Sequence, residues 1–292
     1  MEFSRLTLDC IARLRPFFED NQCRICDCTI GGTFMWRDHH RTEYAIVDEV
    51  LYLKTNYPEI GFAPPRGTEI DKKSLGRIVD YCNGQKIPVK MFFISETVLE
   101  LILEVFPDSV VSSDRAWSDY LYMSNDLVTL AGRRYAGQRN HINRFERENP
   151  SWSFERITGS NVRDAKVFIE KSTRGGEKDS PVFVEGGKKA IEVIDNLELY
   201  GQFGGLLYVS GAVTGVSLGE TVGDTLFVHT EMADVAYHGA YPALMNSFAR
   251  CFVTADTLYI NREEDDGVEG LRVSKLSYHP AELLDKYTVE LK

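Results

Sequence analysis

The spacing of apolar positions changes several times along the chain, and each change marks an element. Between residues 5 and 20, Leu6, Leu8, Ile11, Leu14, Phe17 and Phe18 recur near helical spacing, which predicts a first helix. Residues 43–54 alternate and turn at Asp48-Glu49, the pattern of a hairpin. Asp71 to Cys82 reads as a helix stopped by Asn83-Gly84, and Val89 to Ile94 as an apolar strand. Ser95 caps a helix to Phe106, and Val110 to Tyr122 reads as one long strand region. From Ser124 a helical stripe of Leu127, Leu130, Ala131, Tyr135, Ile142 and Phe145 runs to a stop at Asn149-Pro150.

The rest of the chain repeats the alternation of layers. A short strand at Phe154–Ile157 precedes helices at 161–171 and 188–199, which flank a polar loop, Arg174 to Glu185. Strands at 205–210, 212–220 and 225–233 follow, joined by the turns Ser210-Gly211 and Gly223-Asp224. A helix from Gly239 to Phe252, a strand at Leu258–Ile260, a short helix at 271–276 and a strand at 287–291 complete the chain. This order predicts an α/β (α+β) protein with two domains, 1–123 and 124–292, each a mixed, mostly antiparallel sheet flanked by helices. The length of 292 residues fits two average domains.

Charge and cysteine content narrow the function. A net charge of −11 opposes a dedicated nucleic-acid binder, because an acidic surface repels phosphate backbones. No run approaches the ~20 apolar residues that cross a bilayer, and the first residues lack a basic stretch followed by an apolar one. A cytoplasmic location with no integral membrane contact is expected, with all six cysteines as reduced thiols. Cys23, Cys26 and Cys28 have the spacing of a metal motif. Only His39 and His40 follow them, with no second cysteine pair, so ordinary thiols and no metal are expected.

Four segments carry candidate chemistry. Five arginines fall within residues 133–147 of this acidic chain, and Arg139, Asn140, His141, Asn143 and Arg144 suit phosphates or carboxylates better than a plain helix surface. On the third strand of the meander, period two puts His229 and Glu231 on one face, with Glu220 ending the neighbouring strand, so that either could deprotonate an amine or hydroxyl. Gly239 and Ala240 open the next helix, whose N–H groups suit a phosphate. The run Asn261, Arg262, Glu263, Glu264, Asp265, Asp266, Gly267 leaves an apolar strand, and in open α/β sheets ligands gather beyond strand ends. Near the C-terminus Lys275 could hold an anion and Tyr278 donate a proton.

Together, Asp119-Tyr120-Leu121-Tyr122, Gly132-Arg133-Arg134-Tyr135, Arg139 to Phe145, Val228-His229-Thr230-Glu231, His238-Gly239-Ala240-Tyr241, Asn261 to Asp265 and Lys275 to Pro280 resemble a bacterial family related to the C-terminal catalytic domain of phosphatidylglycerol lysyltransferases. The resemblance implies two tandem GNAT-like (acyl-CoA N-acyltransferase) domains. It also implies an acyl- or aminoacyl-transferase that uses acyl-CoA or aminoacyl-tRNA and an amine or hydroxyl acceptor. Net charge disfavours tRNA among these donors, and no cofactor is required. In this reading Glu231 or His229 is the base, assisted by Glu220. Arg139, Asn140, His141, Asn143, Arg144, Gly239 and Ala240 hold the donor. Asn261, Arg262, Glu263, Asp265, Lys275 and Tyr278 orient the acceptor, and the segments 139–145 and 261–267 share one cleft. The alternative is a GNAT-like module that binds a small molecule or protein without catalysis.

Overall fold

Where alternation was strict, strands form as expected. The computed structural model describes residues 1–19, 23–67, 70–173 and 181–292. The N-terminal part contains β1 (Ser4–Arg5), helix α1 (Ile30–Met35), the hairpin β2 (Glu43–Val47) and β3 (Val50–Thr55), and β4 (Gly61–Phe62). Helix α2 (Lys72–Gln85), β5 (Lys90–Ile94), α3 (Glu96–Val105) and β6 (Val110–Ser113) follow. The hairpin turns at Asp48 and Glu49, both at positive φ, the twist a two-residue turn needs. Asp71 and Ser74 form a reciprocal capping box at the start of α2. Next come β7 (Asp119–Met123), α4 (Ser124–Thr129), α5 (Ala136–Glu148), β8 (Trp152–Arg156), α6 (Val162–Thr173) and α7 (Pro181–Asp195). The meander is β9 (Phe203–Val209), β10 (Ala212–Val222) and β11 (Thr225–Ala233). Helix α8 (Ala240–Phe252), β12 (Tyr259–Asn261), α9 (Glu269–Leu276), β13 (Glu282–Leu284) and β14 (Tyr287–Glu290) end the chain.

Two mixed, seven-stranded sheets result, in the orders β1-β2-β3-β4-β5-β14-β6 and β13-β7-β12-β11-β10-β9-β8. Each contains a parallel neighbour pair, β4/β5 in the first and β11/β12 in the second. These are the two helix-flanked, mostly antiparallel sheets expected of tandem GNAT-like domains. The first unit comprises residues 1–119, 264–269 and 283–292; the second comprises 120–263 and 270–282. The chain therefore divides near residue 119, and two later segments return to the first unit, where a single division after residue 123 was expected. The core of the first unit is built on Tyr52, Phe62, Leu75, Ile78, Met91 and Val289. In the second, Phe145, Leu207, Ala243 and Leu244 pack together, and Phe203 stacks on Phe252 at 4.3 Å.

Several boundaries differ from the apolar pattern for local reasons. The helix expected over 5–20 is instead β1 followed by a turn and the short helices Ile11–Leu14 and Pro16–Glu19. Pro16 lacks the N–H that would continue the ladder. Asn83 and Gly84 do not stop α2. It closes at Lys86, in the left-handed region, with Lys86 N–H bonded to Asn83 O and Ile87 N–H to Cys82 O. The strand region expected over 110–122 is interrupted where Asp114 accepts the Ala116 N–H at 2.9 Å and caps a turn, so β6 and β7 belong to different sheets. The long helix expected from Ser124 breaks at Leu130 and Gly132, both at positive φ, and restarts at Ala136. Of the expected polar loop Arg174 to Glu185, residues 174–180 lie outside the described residues, and helix α7 begins at Pro181.

An ionic hub ties the separate segments of the first unit. The Lys286 ammonium lies 2.7 Å from Asp27, 2.8 Å from Asp119, 3.0 Å from Glu264 and 3.2 Å from the Cys26 sulfur. Asp119 also accepts the Cys26 N–H at 2.6 Å. Burial pushes the Asp119 carboxyl up to about 7, against the pull of the Lys286 charge. Cys26, Asp119 and Glu264 offer ligand atoms within 4.8 Å of one another, and the ammonium sits among them where a metal ion would. Cys26 is thus drawn into the hub, whereas the sulfurs of Cys23 and Cys28 lie 2.8 Å apart. The three thiols do not converge on one point.

Removing one partner of a buried ionic cluster leaves the others uncompensated. Lys286→Met is expected to lower unfolding free energy by about 3–5 kcal/mol, read from urea denaturation midpoints. A loss under about 1 kcal/mol would show that the hub does not hold the unit.

Candidate active site in the second unit

The site begins with two strands that separate. β11 pairs in parallel with β12 only over Thr225–Phe227 against Tyr259–Asn261. β12 ends there, but β11 continues to Ala233. Beyond Phe227 no ladder joins the two strands, and side chains bridge them instead. His229 Nδ1 lies 2.7 Å from Glu263 Oε1, and Nε2 lies 2.8 Å from Glu220 Oε1. One step further, Arg262 Nη2 donates to both oxygens of Glu231, at 3.0 and 3.1 Å.

A β-bulge separates these two bridges. Leu218 pairs with Thr230 and Gly219 with Val228, so His229 has no cross-strand partner. The bulge interrupts the period of two, and the expectation that His229 and Glu231 act as one pair on one face is corrected. The His229 ring lies nearly parallel to that of Phe227 and joins the two glutamates. Glu231 stands across from Ser217 and joins Arg262.

The electrostatics assign different work to the two groups. Burial alone would lower the His229 pKa, but hydrogen bonds to Glu220 and Glu263 outweigh it and push it up to about 10. Both ring nitrogens then donate, so at neutral pH the ring has no lone pair with which to accept a substrate proton. A ring in this state is suited to bracing Glu220 and Glu263 rather than to the base role expected of it. Arg262 is buried, with its guanidinium 4.7 Å over the Tyr278 ring. Among the described residues its Nε and Nη1 have no hydrogen-bond partner, and neither has the fully buried Ser217 Oγ. Unsatisfied buried donors are rare and costly in native folds. Here the Arg262 donors lie beside the Glu231 carboxylate, and Ser217 stands across the strand pair from Glu231.

Other expected site residues are engaged in holding the frame. Lys275 is buried, and its ammonium donates to the carbonyls of Arg262 and Glu263, while Tyr122 Oη donates to the Lys275 carbonyl. Lys275 thus shapes the 261–263 segment. Asn261 Oδ1 accepts the Glu263 N–H at 2.6 Å, supporting the positive φ of Glu263. Burial pushes the Tyr278 hydroxyl well above its usual range, which opposes the proton-donor role. Asp265, in the first unit, accepts the Gly267 N–H and pairs with Arg115 at 3.4 Å. Gly239 has φ +83, and a Cβ there would stand 2.2 Å from the His141 carbonyl oxygen. Its missing side chain serves close packing against α5, and the Ala240 N–H is taken by Tyr237 O.

The arginine segment lies elsewhere in the same unit. Arg139 donates to the carbonyls of Leu130 and Gly132; Arg144 donates to Glu148 and lies 3.3 Å from His238. Asn140, His141, Asn143 and Arg144 are exposed. Arg139, Ile142 and Asn143 line a groove of about 530 Å³ with Leu130, Asn246 and Arg250. Asn261, Arg262 and Glu263 are not part of its wall, so the groove and the strand opening are separate features. Ser217 and Arg250 were missed in the sequence. Ser217 carries no pattern, and Arg250 is the single charged residue of its helix.

Comparison with known proteins places the chain. The family model described as phosphatidylglycerol lysyltransferase, C-terminal, matches residues 22–290. A crystal structure of a conserved protein of unknown function from Bacteroides thetaiotaomicron is similar over 100% of both chains, at 29% identity and a TM-score of 0.93. The C-terminal domain of a protein from Agrobacterium fabrum, assigned as a lysylphosphatidylglycerol synthetase, is similar in fold at 13% identity and a TM-score of 0.70, over 97% of this chain and 92% of that one. An L-PGS structure from Bacillus licheniformis gives 12% identity, 86% and 84% coverage and a TM-score of 0.64. An uncharacterised protein of Mycoplasmoides gallisepticum is 24% identical over 186 residues, 60% of this chain; the match spans 56% of that relative's length.

The charged brace has a consequence for stability. A histidine pKa raised from the ordinary ~6.5 to about 10 stabilises the fold fully below pH ~6.5, and that stabilisation is lost as pH rises through 10. Wild-type unfolding free energy is expected to fall between pH 7.5 and 10, with a much flatter profile for His229→Gln. Parallel profiles over this range, from urea unfolding at each pH, would contradict the ionised brace.

Proposed function

We propose that this chain, which belongs to the phosphatidylglycerol lysyltransferase C-terminal family, is an acyl- or aminoacyl-transferase whose reacting groups are Glu231 and Arg262. The observation that carries this reading is the buried Arg262 guanidinium, with Nε and Nη1 unpartnered beside a carboxylate. An amine or hydroxyl acceptor attacks the acyl carbonyl of an ester or thioester donor. Glu231, whose carboxylate retains lone pairs beyond those given to Arg262, takes the acceptor's proton. The unpartnered N–H groups of Arg262 stabilise the oxyanion that forms on the carbonyl, and its collapse breaks the bond to the donor's oxygen or sulfur, which leaves with the proton returned by Glu231. His229, held between Glu220 and Glu263, keeps the strand opening in shape.

The donor contains phosphate, as in acyl-CoA or aminoacyl-tRNA. Arg139, Asn143 and Arg250 in the groove are the groups suited to it. A net charge of −11 favours the smaller donor over a long polyanion. A second reading, a binding module without turnover, is favoured by one observation. Gly239 and the Ala240 N–H are committed to packing and to a turn and do not form an open phosphate loop.

Transfer of label from acyl-CoA and aminoacyl-tRNA donors to small amines and alcohols tests both. Glu231→Gln is expected to lower kcat by about 10²–10³ with little change in KM. Wild-type turnover in Glu231→Gln would sink the assignment. Donor-induced thermal stabilisation with no turnover would favour the binding module.

A further inference from the structure

The geometry points to a second ligand site, in the first unit, for a weakly hydrated organic cation such as a quaternary or tertiary ammonium. A cavity of about 290 Å³ is lined by Tyr57, Phe92, Phe93 and Trp117, with Asp114 and Lys286 in its wall. This reading is independent of the transferase proposal, since no residue of the cavity belongs to the second unit.

The backbone presents these rings at a cost. Between Ile94 and Met91, β5 carries two residues, Phe92 and Phe93, against the single Thr288 of β14. This bulge re-aims side chains. Phe93 adopts φ +59, a conformation that bulky residues rarely accept and that concentrates at functional sites. Tyr57 and Trp117 are 45% and 48% exposed, an unusual outlay of aromatic surface at one opening.

The surrounding charge selects the ligand's sign. Lys286 is the cation in the wall, and its ammonium is already shared by Asp27, Asp119, Glu264 and the Cys26 sulfur. The carboxylates that share it, with Asp119 partly protonated near pH 7, offset its charge, and Asp114 adds a negative group to the wall. His40 adds no positive charge, because burial lowers its pKa. A cation meets aromatic rings and the Asp114 carboxylate, with Arg41 already 5.6 Å from the centroid of the Tyr57 ring.

Hydration separates one kind of cation from another. A primary ammonium needs hydrogen-bond acceptors in place of the water it sheds. Here the wall is rich in aromatic rings, and its two carboxylates are partly engaged, Asp114 by the Ala116 N–H and Glu59 by Lys90 at 2.6 Å. A methylated ammonium has no such requirement and fits an aromatic wall.

Isothermal titration of the full chain with choline, its neutral carbon isostere 3,3-dimethylbutan-1-ol, ethanolamine and hexanoate tests the site. Choline is expected to bind saturably, at least about tenfold more tightly than each of the others. Trp117→Ala is expected to weaken choline severalfold, as is Asp114→Asn, which keeps the turn cap because Asn also caps. Equal binding of the neutral isostere, tighter binding of ethanolamine or hexanoate, no saturable heat with choline, or unchanged choline affinity in both variants would overturn the proposal.

Discussion

Two parallel strands that separate must be held apart by something other than backbone hydrogen bonds, and here the work falls on ionised side chains. β11 and β12 share only three paired positions. Past them, His229 is clamped between Glu220 and Glu263, and Arg262 is bonded to Glu231. In so dry a setting neither bridge tolerates the loss of one member. The same opening that demands the bridges leaves Arg262 with donors turned toward no partner. The structural requirement and the chemical opportunity thus share one origin, and the bulge at His229 assigns them to different residues.

The first unit is solved by a similar device. Lys286 collects carboxylates from residues 27, 119 and 264, which are far apart in the chain. An ammonium at this point does what a structural metal does in small domains, without the open coordination position that a catalytic ion would offer. It also forms part of the wall of an aromatic cavity. Both units therefore combine a buried ionic cluster with a cavity or opening next to it, but the ligand chemistry differs. The second unit offers unsatisfied cationic donors, and the first offers rings and carboxylates.

Much of the architecture was legible in the apolar pattern. The turn at Asp48-Glu49, the cap at Asp71, the limits of β11 and the helix after Gly239 follow from local chemistry. What misled were places where local chemistry breaks a longer period: Pro16, Asp114 and the Leu130–Gly132 break each divide a run that reads as continuous. The candidate site was partly legible, because His229, Glu231, Arg262 and Glu263 stand out as polar residues in or after apolar strands. Their roles were not. The bulge at His229 depends on register with β10, and Lys275 owes its function to carbonyls that only the fold brings near. Ser217 was invisible, since one serine in a strand signals nothing until its hydroxyl is found buried without a partner.

The central claim is that His229 is a permanent cation in the folded protein, which leaves proton transfer to Glu231. Nitrogen chemical shifts of the His229 imidazole, followed by NMR from pH 6 to pH 9, test it directly. Both ring nitrogens are expected to remain protonated across the range, consistent with a pKa of about 10. A transition between pH 6 and 7.5, with one nitrogen losing its proton, would contradict the account and return His229 to the role of base.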